Sequence, residues 1–266
     1  MTVRILAATG ETTAAAPRYT LLVANNADEV RAAQRLRYRV FAGELGARLT
    51  SPLAGLDVDE FDDHCDHLLV REEHTGETVG TYRMLPPAKA AALGRTYSDG
   101  EFDLRMLAPL RDAVVETGRS CVHPDHRSGA VINLMWTGIA RYLHLMNKRW
   151  LTGCASVGLA DGGAAVTAVW GMIREKHLAP PRLRVEPRNP YPVGDDDPLP
   201  RAAALALTPA LLRGYLRLGA WVCGPPAHDP DFDVADFFVL FSLDRMDPRY
   251  LRHFLGDVNA GQAAGR

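Results

Sequence analysis

Glu116 and Arg119 place a carboxylate and a guanidinium on one short segment that can do acid–base chemistry. The segment, 114–122, alternates and is rich in β-branched residues, which predicts a strand. A turn with proline and glycine follows at 123–129, and apolar residues at helical spacing predict a helix over 130–145. Strand, tight turn and helix direct backbone N–H groups and a helix dipole at one point, which suits an anionic or carbonyl-bearing ligand. An ordinary strand–helix connection is the alternative.

A second group of candidate residues lies on a predicted helix over 27–45. Three arginines alternate there with large apolar or aromatic residues, and Arg37 and Phe41 are one turn apart. That spacing lets a cation and a ring face one pocket. The alternative is a core position for Phe41 and solvated arginines.

The segment 57–67 is strongly acidic and contains two histidines. Its carboxylates and imidazoles follow no familiar metal-ligand spacing, so no metal is expected. Asp59 and Asp62 are better suited to bind a substrate ammonium group or to pair with the arginines of the preceding helix.

The remaining segments predict the elements that position these residues. Strands are expected at 19–24, 68–72, 78–85, 150–157, 220–223 and 235–241, and helices at 162–177 and 208–218. Two strand-then-helix units after a hairpin indicate α/β architecture with a mixed sheet. The proline-rich and charged stretch 180–200 interrupts the pattern and predicts a surface excursion.

Composition limits the class of protein. With 266 residues, 47% of them hydrophobic and 23% charged, the chain can bury one full core. A formal net charge of -2 gives no general attraction to nucleic acid. The four cysteines form no C-x-x-C, which favours a reducing, cytoplasmic setting. No stretch has the length of a secretory leader or a membrane span, so membrane contact would be peripheral.

Four short motifs resemble the acyl-homoserine-lactone synthase branch of the GNAT acyltransferases. They occur in that branch's order and approximate spacing: Arg37-x-x-Val40-Phe41, Asp59-x-x-Asp62, Gly80-x-x-Arg83-x-Leu85-Pro86 and Glu116-x-x-Arg119.

A longer resemblance is to the ornithine Nα-acyltransferases of ornithine-lipid synthesis, also called hemolysin-like. It covers nearly all of 19–254. The matching stretches are Val122-His123-Pro124-x-x-Arg127-Ser128-Gly129-Ala130-Val131-Ile132, the segments 177–181 and 214–220, Asp231-Phe232-Asp233-x-Ala235-Asp236, and Pro248-Arg249-Tyr250-x-x-His253-Phe254.

The resemblance implies a GNAT-like fold of the α/β (α+β) type, with a mixed, mostly antiparallel central sheet flanked by helices. A single domain is expected over 19–254, with a surface excursion at 180–207 and flexible tails at 1–18 and 255–266. The implied reaction moves a fatty acyl group to the α-amine of ornithine or a similar amino acid. The donor is an acyl-phosphopantetheine thioester, carried by acyl carrier protein or coenzyme A, and no permanently bound cofactor is implied.

The resemblance also implies roles for single residues. Glu116 would act as the base that deprotonates the amine, although ion pairing with Arg119 or Arg83 is its alternative role. The backbone N–H groups of Cys121 and Val122 would polarise the thioester carbonyl.

The other implied roles concern binding. Phe41, Asp59 and Asp62 would contact the amino acid, while Arg37, Arg83 and Arg119 would hold its carboxylate or brace the acidic residues. The pantetheine or its phosphate would lie at Arg127, Ser128, Gly129 and Ala130. This short loop favours a carrier-protein donor with a single phosphodiester.

Two further sets of residues complete the expectations. Leu134, Met135, Trp136 and Trp170 are candidate walls of an acyl-chain cavity, or simply core. Arg127, Arg141, Lys148 and Arg149 form a candidate docking patch for an acidic carrier protein, or an ordinary solvated face. The alternative functions are a homoserine-lactone-type synthase, another N-acyl amino acid synthase, and a catalytically silent binding module.

Overall fold

The computed structural model describes residues 5–9, 17–193 and 200–256. The strands of these residues are β1 (Ile5–Ala8), β2 (Tyr19–Val23), β3 (Asp66–Glu72), β4 (Thr78–Leu85), β5 (Phe102–Asp103), β6 (Val114–Val122), β7 (Trp150–Gly158), β8 (Glu186–Pro187), β9 (Trp221–Val222), β10 (Ala227–Asp229) and β11 (Val234–Ser242). The helices are α1 (Ala27–Tyr38), α2 (Pro87–Leu93), α3 (Ser98–Glu101), α4 (Gly129–Leu145), α5 (Ala164–Lys176), α6 (Arg201–Leu207), α7 (Ala210–Arg217) and α8 (Pro248–Leu255). A π-helical turn, Arg39–Glu44, continues α1.

One large sheet organises the chain, in the order β1-β2-β3-β4-β6-β7-β11-β10, with β9 also paired to β11. Every neighbouring pair in it is antiparallel except β6 and β7. The predicted hairpin is β3–β4, and the two predicted strand–helix units are β6–α4 and β7–α5. All of them lie where the periodicity predicts them. The predicted class, a mixed and mostly antiparallel sheet flanked by helices, is confirmed.

Apolar side chains cover both faces of the sheet. The largest cluster joins the sheet to α4 and α5, where Val131, Tyr142 and Val166 are fully buried. A second cluster on β11 unites Phe238 with Phe102 and other residues of the connecting loops. The polar residues of the candidate site lie on β6 and β7, between these two cores.

Two predicted boundaries differ from the structure at the chain ends. Ile5–Ala8 form a strand that pairs with β2, where a tail was expected, because Leu6 and Ala7 bury their side chains in the main core. At the other end Leu255 is buried as the last residue of α8. Residues 1–4, 10–16 and 257–266 of the expected tails lie outside the described residues.

The predicted excursion 180–207 is also more than a surface loop. Leu183, Val185 and Ala204 bury their side chains in the two cores, while 194–199 lie outside the described residues. Between the predicted strands 220–223 and 235–241 the structure adds a short strand, β10. No helix in the described chain is long and apolar enough to cross a bilayer.

The parallel pair β6–β7 is joined only over its first residues, from Val114 opposite Trp150 to Glu116 opposite Thr152. The next residue of β7 is Gly153, and a Cβ there would overlap the carbonyl oxygen of Thr117 on β6. The missing side chain therefore allows the two backbones to approach at the point where they begin to separate.

We expect Gly153→Ala to destabilise the fold by about 1–3 kcal/mol, the usual cost of overpacking. Gly158→Ala is the matched control, because it lies on the same strand and its added Cβ meets nothing within 4 Å. Its effect should stay within about 0.5 kcal/mol. Urea denaturation measures both, and equal stabilities of the two variants would contradict the assignment.

Candidate active site

The candidate site lies where β6 separates from β7. On its other edge β6 contains a bulge, because its pairing with β4 shifts by one residue between Thr81 and Arg83. Arg119 and Ser120 therefore lie together opposite Tyr82, and Arg119 has a left-handed φ of 51°. The split and the bulge open a cavity of about 430 Å³ beside these residues.

Glu116 is buried on β6 next to this cavity, with 5% of its surface exposed. Its Oε2 accepts a hydrogen bond from the Tyr97 N–H (2.7 Å) and its Oε1 accepts one from the Ser98 N–H (2.9 Å). Burial raises the pKa of Glu116, although these two hydrogen bonds oppose the shift. A carboxyl group whose pKa lies above its usual range is suited to accept a proton near neutral pH.

Glu116 also separates two different environments. On one side it borders a mostly apolar cavity of about 210 Å³ beneath α2. On the other it borders a narrow space of about 10 Å³, which shares Arg83 and Tyr97 with the large cavity. That volume is about the least that a single water needs. Glu116 does not line the large cavity itself, but Thr117 and Gly118, the next two residues of β6, line both the large cavity and this narrow space.

The two predicted oxyanion donors differ in direction. The His123 N–H donates to the Val79 carbonyl (2.8 Å), and residues of an antiparallel pair point alternately toward and away from the partner strand. The Val122 N–H consequently points away from β4, toward the split, whereas the Cys121 N–H points at Thr81. Of the two expected donors, the Val122 N–H is therefore free of the β4 ladder, whereas the Cys121 N–H is directed into that ladder and the Cys121 side chain is buried.

The predicted arginines and aspartates form one buried network. Arg37 is completely buried and donates to Asp57 Oδ2 (2.9 Å) and to both oxygens of Asp62 (2.9 and 2.7 Å). Arg83 donates to Asp62 Oδ1 (2.9 Å) and Asp59 Oδ1 (2.5 Å). Of the two roles expected for Arg37 and Asp62, substrate binding or pairing between the arginines and the acidic residues, the structure shows the pairing.

Arg119 faces the large cavity. Its guanidinium lies between the rings of Tyr97 (5.2 Å) and Phe232 (4.9 Å), and Phe232 packs edge-on against Phe41. Asp57 and Asp59 approach it only to 3.3 and 3.4 Å, and its Nε has no hydrogen-bond acceptor. Since this Nε is buried beside Asp57, what Arg119 brings to the cavity wall is the positive charge of its guanidinium.

The predicted phosphate loop precedes α4. Ser128, Gly129 and Ala130 are exposed at the N-terminus of this 17-residue helix, where the first N–H groups lack helical partners. This end of a helix favours a phosphate. Arg127 is less available, because its two terminal nitrogens bind the two carboxylate oxygens of Glu44 (2.7 and 2.6 Å).

The expected acyl-chain walls are core residues. Leu134, Met135, Trp136 and Trp170 all pack in the main cluster, and neither cavity beside Glu116 includes them.

The expected docking patch is also largely engaged within the protein. Besides Arg127, Arg141 donates to the carbonyls of Leu6 and Phe254, Lys148 to that of Asp112, and Arg149 pairs with Asp244.

Sequence reasoning missed two buried acids of the large cavity, Asp229 and Asp236. Asp236 accepts a hydrogen bond from the Ser156 hydroxyl (2.6 Å). Burial raises its pKa to about 6, with the negative charge of Asp229 adding to the shift and the Ser156 hydrogen bond opposing it. The signal in the sequence is Asp236 near the start of the otherwise apolar strand β11. Burying a charged side chain costs free energy, so such a position indicates a functional role.

Comparison with known proteins identifies the family of this chain. Residues 36–137 match the model of the acetyltransferase (GNAT) domain. The L-ornithine Nα-acyltransferase of Rhodobacter capsulatus is 38% identical over 249 residues, which cover 89% of this chain and 95% of that protein. Its counterpart in Brucella abortus is 32% identical over 89% of each chain. The chain belongs to the L-ornithine Nα-acyltransferase family.

A solved structure supports the fold. The crystal structure of the AHL synthase LasI superposes with a TM-score of 0.50 at 12% identity, over 86% of this chain and 91% of that one. Within this ornithine acyltransferase family member, the GNAT match contains the ion network and Glu116 but ends before Asp229 and Asp236.

We expect Asp62→Asn to cost about 3–5 kcal/mol, because it leaves Arg37 and Arg83 partly unpaired in a buried site. Burial alone would raise the pKa of Asp62, but hydrogen bonds and charge from the two arginines hold it well below its usual range. The stability difference from wild type should be complete above the unfolded pKa of about 4 and shrink as pH falls below it.

Urea denaturation between pH 3 and 7 measures this difference. Asp63→Asn is the control, since Asp63 is the exposed neighbour on the same turn. A difference that is small at pH 7, or that grows toward low pH, would contradict the role of Asp62.

Proposed function

We propose that this protein transfers a fatty acyl group from an acyl carrier protein thioester to the α-amine of ornithine or a similar amino acid. The observation that carries the proposal is the charge-lined cavity at the split between β6 and β7, whose lining includes Thr117, the residue after the buried Glu116. The names of the relatives supply the acceptor: each is an L-ornithine Nα-acyltransferase.

The chemistry requires a neutral amine, a positioned thioester and a site for the oxyanion. In the proposed reaction Glu116 takes one proton from the α-ammonium group through intervening water. The amine nitrogen then attacks the thioester carbon, and the Val122 N–H stabilises the negative oxygen. As the carbon–sulfur bond breaks, the nitrogen gives up its second proton, the sulfur leaves with that proton as a thiol, and the amide forms.

The two substrates would enter from different directions. Arg119 would bind the carboxylate of the amino acid in the large cavity. The phosphodiester of the donor would lie at the N-terminus of α4, and its acyl chain would extend into the apolar cavity on the other side of Glu116.

The form of the donor and the place of the reaction belong to the same proposal. Since Arg127 is already balanced by Glu44, this end of the helix suits one phosphodiester better than the pyrophosphate of coenzyme A. We place the enzyme in the cytoplasm with peripheral contact to the membrane, into which an N-acylated amino acid partitions.

Purified protein mixed with a long-chain acyl carrier protein thioester and L-ornithine should release thiol and give an amide product detectable by mass spectrometry. A panel of acceptors separates the rivals: S-adenosylmethionine as the preferred acceptor would indicate a lactone-type synthase. Absence of product with every acceptor and both donor types would indicate a silent binding module and reject the proposal.

We expect Glu116→Gln to lower kcat by about 10²–10⁴-fold, the usual contribution of a general base. In the wild type kcat/KM should rise as pH passes upward through the raised pKa of Glu116, because only the ionised carboxylate accepts a proton. In Glu116→Gln this rise of kcat/KM with pH should be absent.

If the role of Glu116 is purely structural, Glu116→Gln should lower the stability of the protein, and the rise of kcat/KM with pH should persist. Glu175→Gln, on the exposed face of α5, is the control for loss of one charge. Turnover of Glu116→Gln near the wild-type value would remove Glu116 from the mechanism.

A further inference from the structure

The large cavity has two sides of opposite charge. Arg83 and Arg119 lie on the side of β4 and β6, while Asp229 and Asp236 lie on the side of β10 and β11. A monoamino acid needs only a carboxylate site and an amine site at the reacting centre. A second anionic wall is complementary to an additional positive charge.

The aspartates of the ion network do not supply that wall. Asp57, Asp59 and Asp62 are each within ion-pair distance of Arg37, Arg83 or Arg119. Their charge is therefore balanced inside the protein and is not available to a substrate ammonium group.

Asp236 differs from these three aspartates. Only 3% of its surface is exposed, it lines the cavity, and its hydrogen-bond partner is the neutral hydroxyl of Ser156. Among the described residues no lysine, arginine or histidine forms an ion pair with it. A buried carboxylate that forms no ion pair is costly to ionise, and a cation in the cavity would lower that cost. The charge of Arg119 acts on Asp236 in the same direction without pairing with it.

Asp229 strengthens the field at the same place. It lies on the neighbouring strand with 7% of its surface exposed. Its Oδ1 accepts hydrogen bonds from the backbone N–H groups of Asp231 (2.9 Å) and Phe232 (3.1 Å), which fix the carboxylate against the cavity wall. Two anions on one wall attract a cation more strongly than either alone.

We propose that Asp236, supported by Asp229, binds the side-chain ammonium group of the acceptor, so that the enzyme selects amino acids with a second amine. This rests on the proposed function and deepens it. Arg119 holds the carboxylate on one wall, Asp236 holds the distal ammonium on the other, and the α-amine between them is left free to be deprotonated and acylated. The same arrangement disfavours acylation of the distal amine.

The test compares L-ornithine with L-norvaline, which has the same carbon skeleton without the distal amine. With one acyl carrier protein thioester as donor, wild type should prefer ornithine in kcat/KM by about 10–100-fold, the range that one buried charged hydrogen bond provides. Asp236→Asn should lose most of that preference through a lower kcat/KM for ornithine, with norvaline changed by less than about twofold.

Asp231→Asn is the matched control, because it removes the same charge from an exposed position in the adjoining loop. It should keep the wild-type preference. The proposal is overturned if wild type does not discriminate between the two acceptors, or if Asp236→Asn discriminates as well as wild type. Undiminished turnover of norvaline by Asp236→Asn also shows that the variant is folded and that Asp236 is not the base.

Two further measurements keep the test decisive. If Asp236→Asn lacks a cooperative melting transition, Asp229→Asn replaces it under the same two criteria. If wild type acylates no amino acid, the proposed function fails, and calorimetric binding of ornithine and norvaline to the wild type and Asp236→Asn decides this proposal separately. Equal affinities of wild type for both ligands would then reject it.

Discussion

The buried network of Arg37, Asp57, Asp62 and Arg83 is the interaction on which the site depends. It ties α1 to the acidic segment and to β4, and it continues to Arg119 at the bulge of β6. Charges withdrawn from water are tolerated only when each finds a partner of opposite sign. The network therefore fixes the relative positions of three elements that are far apart in the sequence, and with them the cationic side of the large cavity.

Glu116 lies on β6, three residues before Arg119, and has two effects on the site. Its carboxylate accepts hydrogen bonds from the N–H groups of Tyr97 and Ser98 at the start of α3. These bonds hold that short helix over the sheet. Burial at the same time raises its pKa. The same side chain thus positions α3 and has the raised pKa that the proposed chemistry requires.

The site is assembled from two parts of different origin. Residues 36–137 match the GNAT domain and contain the ion network, Glu116 and the N-terminus of α4. The anionic wall comes from β10 and β11, beyond that match. Chemistry common to many acyltransferases and recognition of a particular acceptor can in this way change independently, because they lie on different strands facing one cavity.

Local pattern by itself determined the elements and the chemically active segment. Alternation and helical spacing gave β6, the turn and α4, because hydrophobic periodicity is a property of neighbouring residues. Resemblance of short motifs then singled out Glu116, Arg119 and Val122. What tertiary structure decided was the pairing of charges: Arg37 and Asp62 have the residue types of a substrate site, yet they neutralise each other inside the fold. Asp236 shows the converse, since only the register of β11 against β7 brings it to Ser156 and the cavity. Sequence spacing does not encode which distant charges meet, and the role of a buried charge depends on its partner.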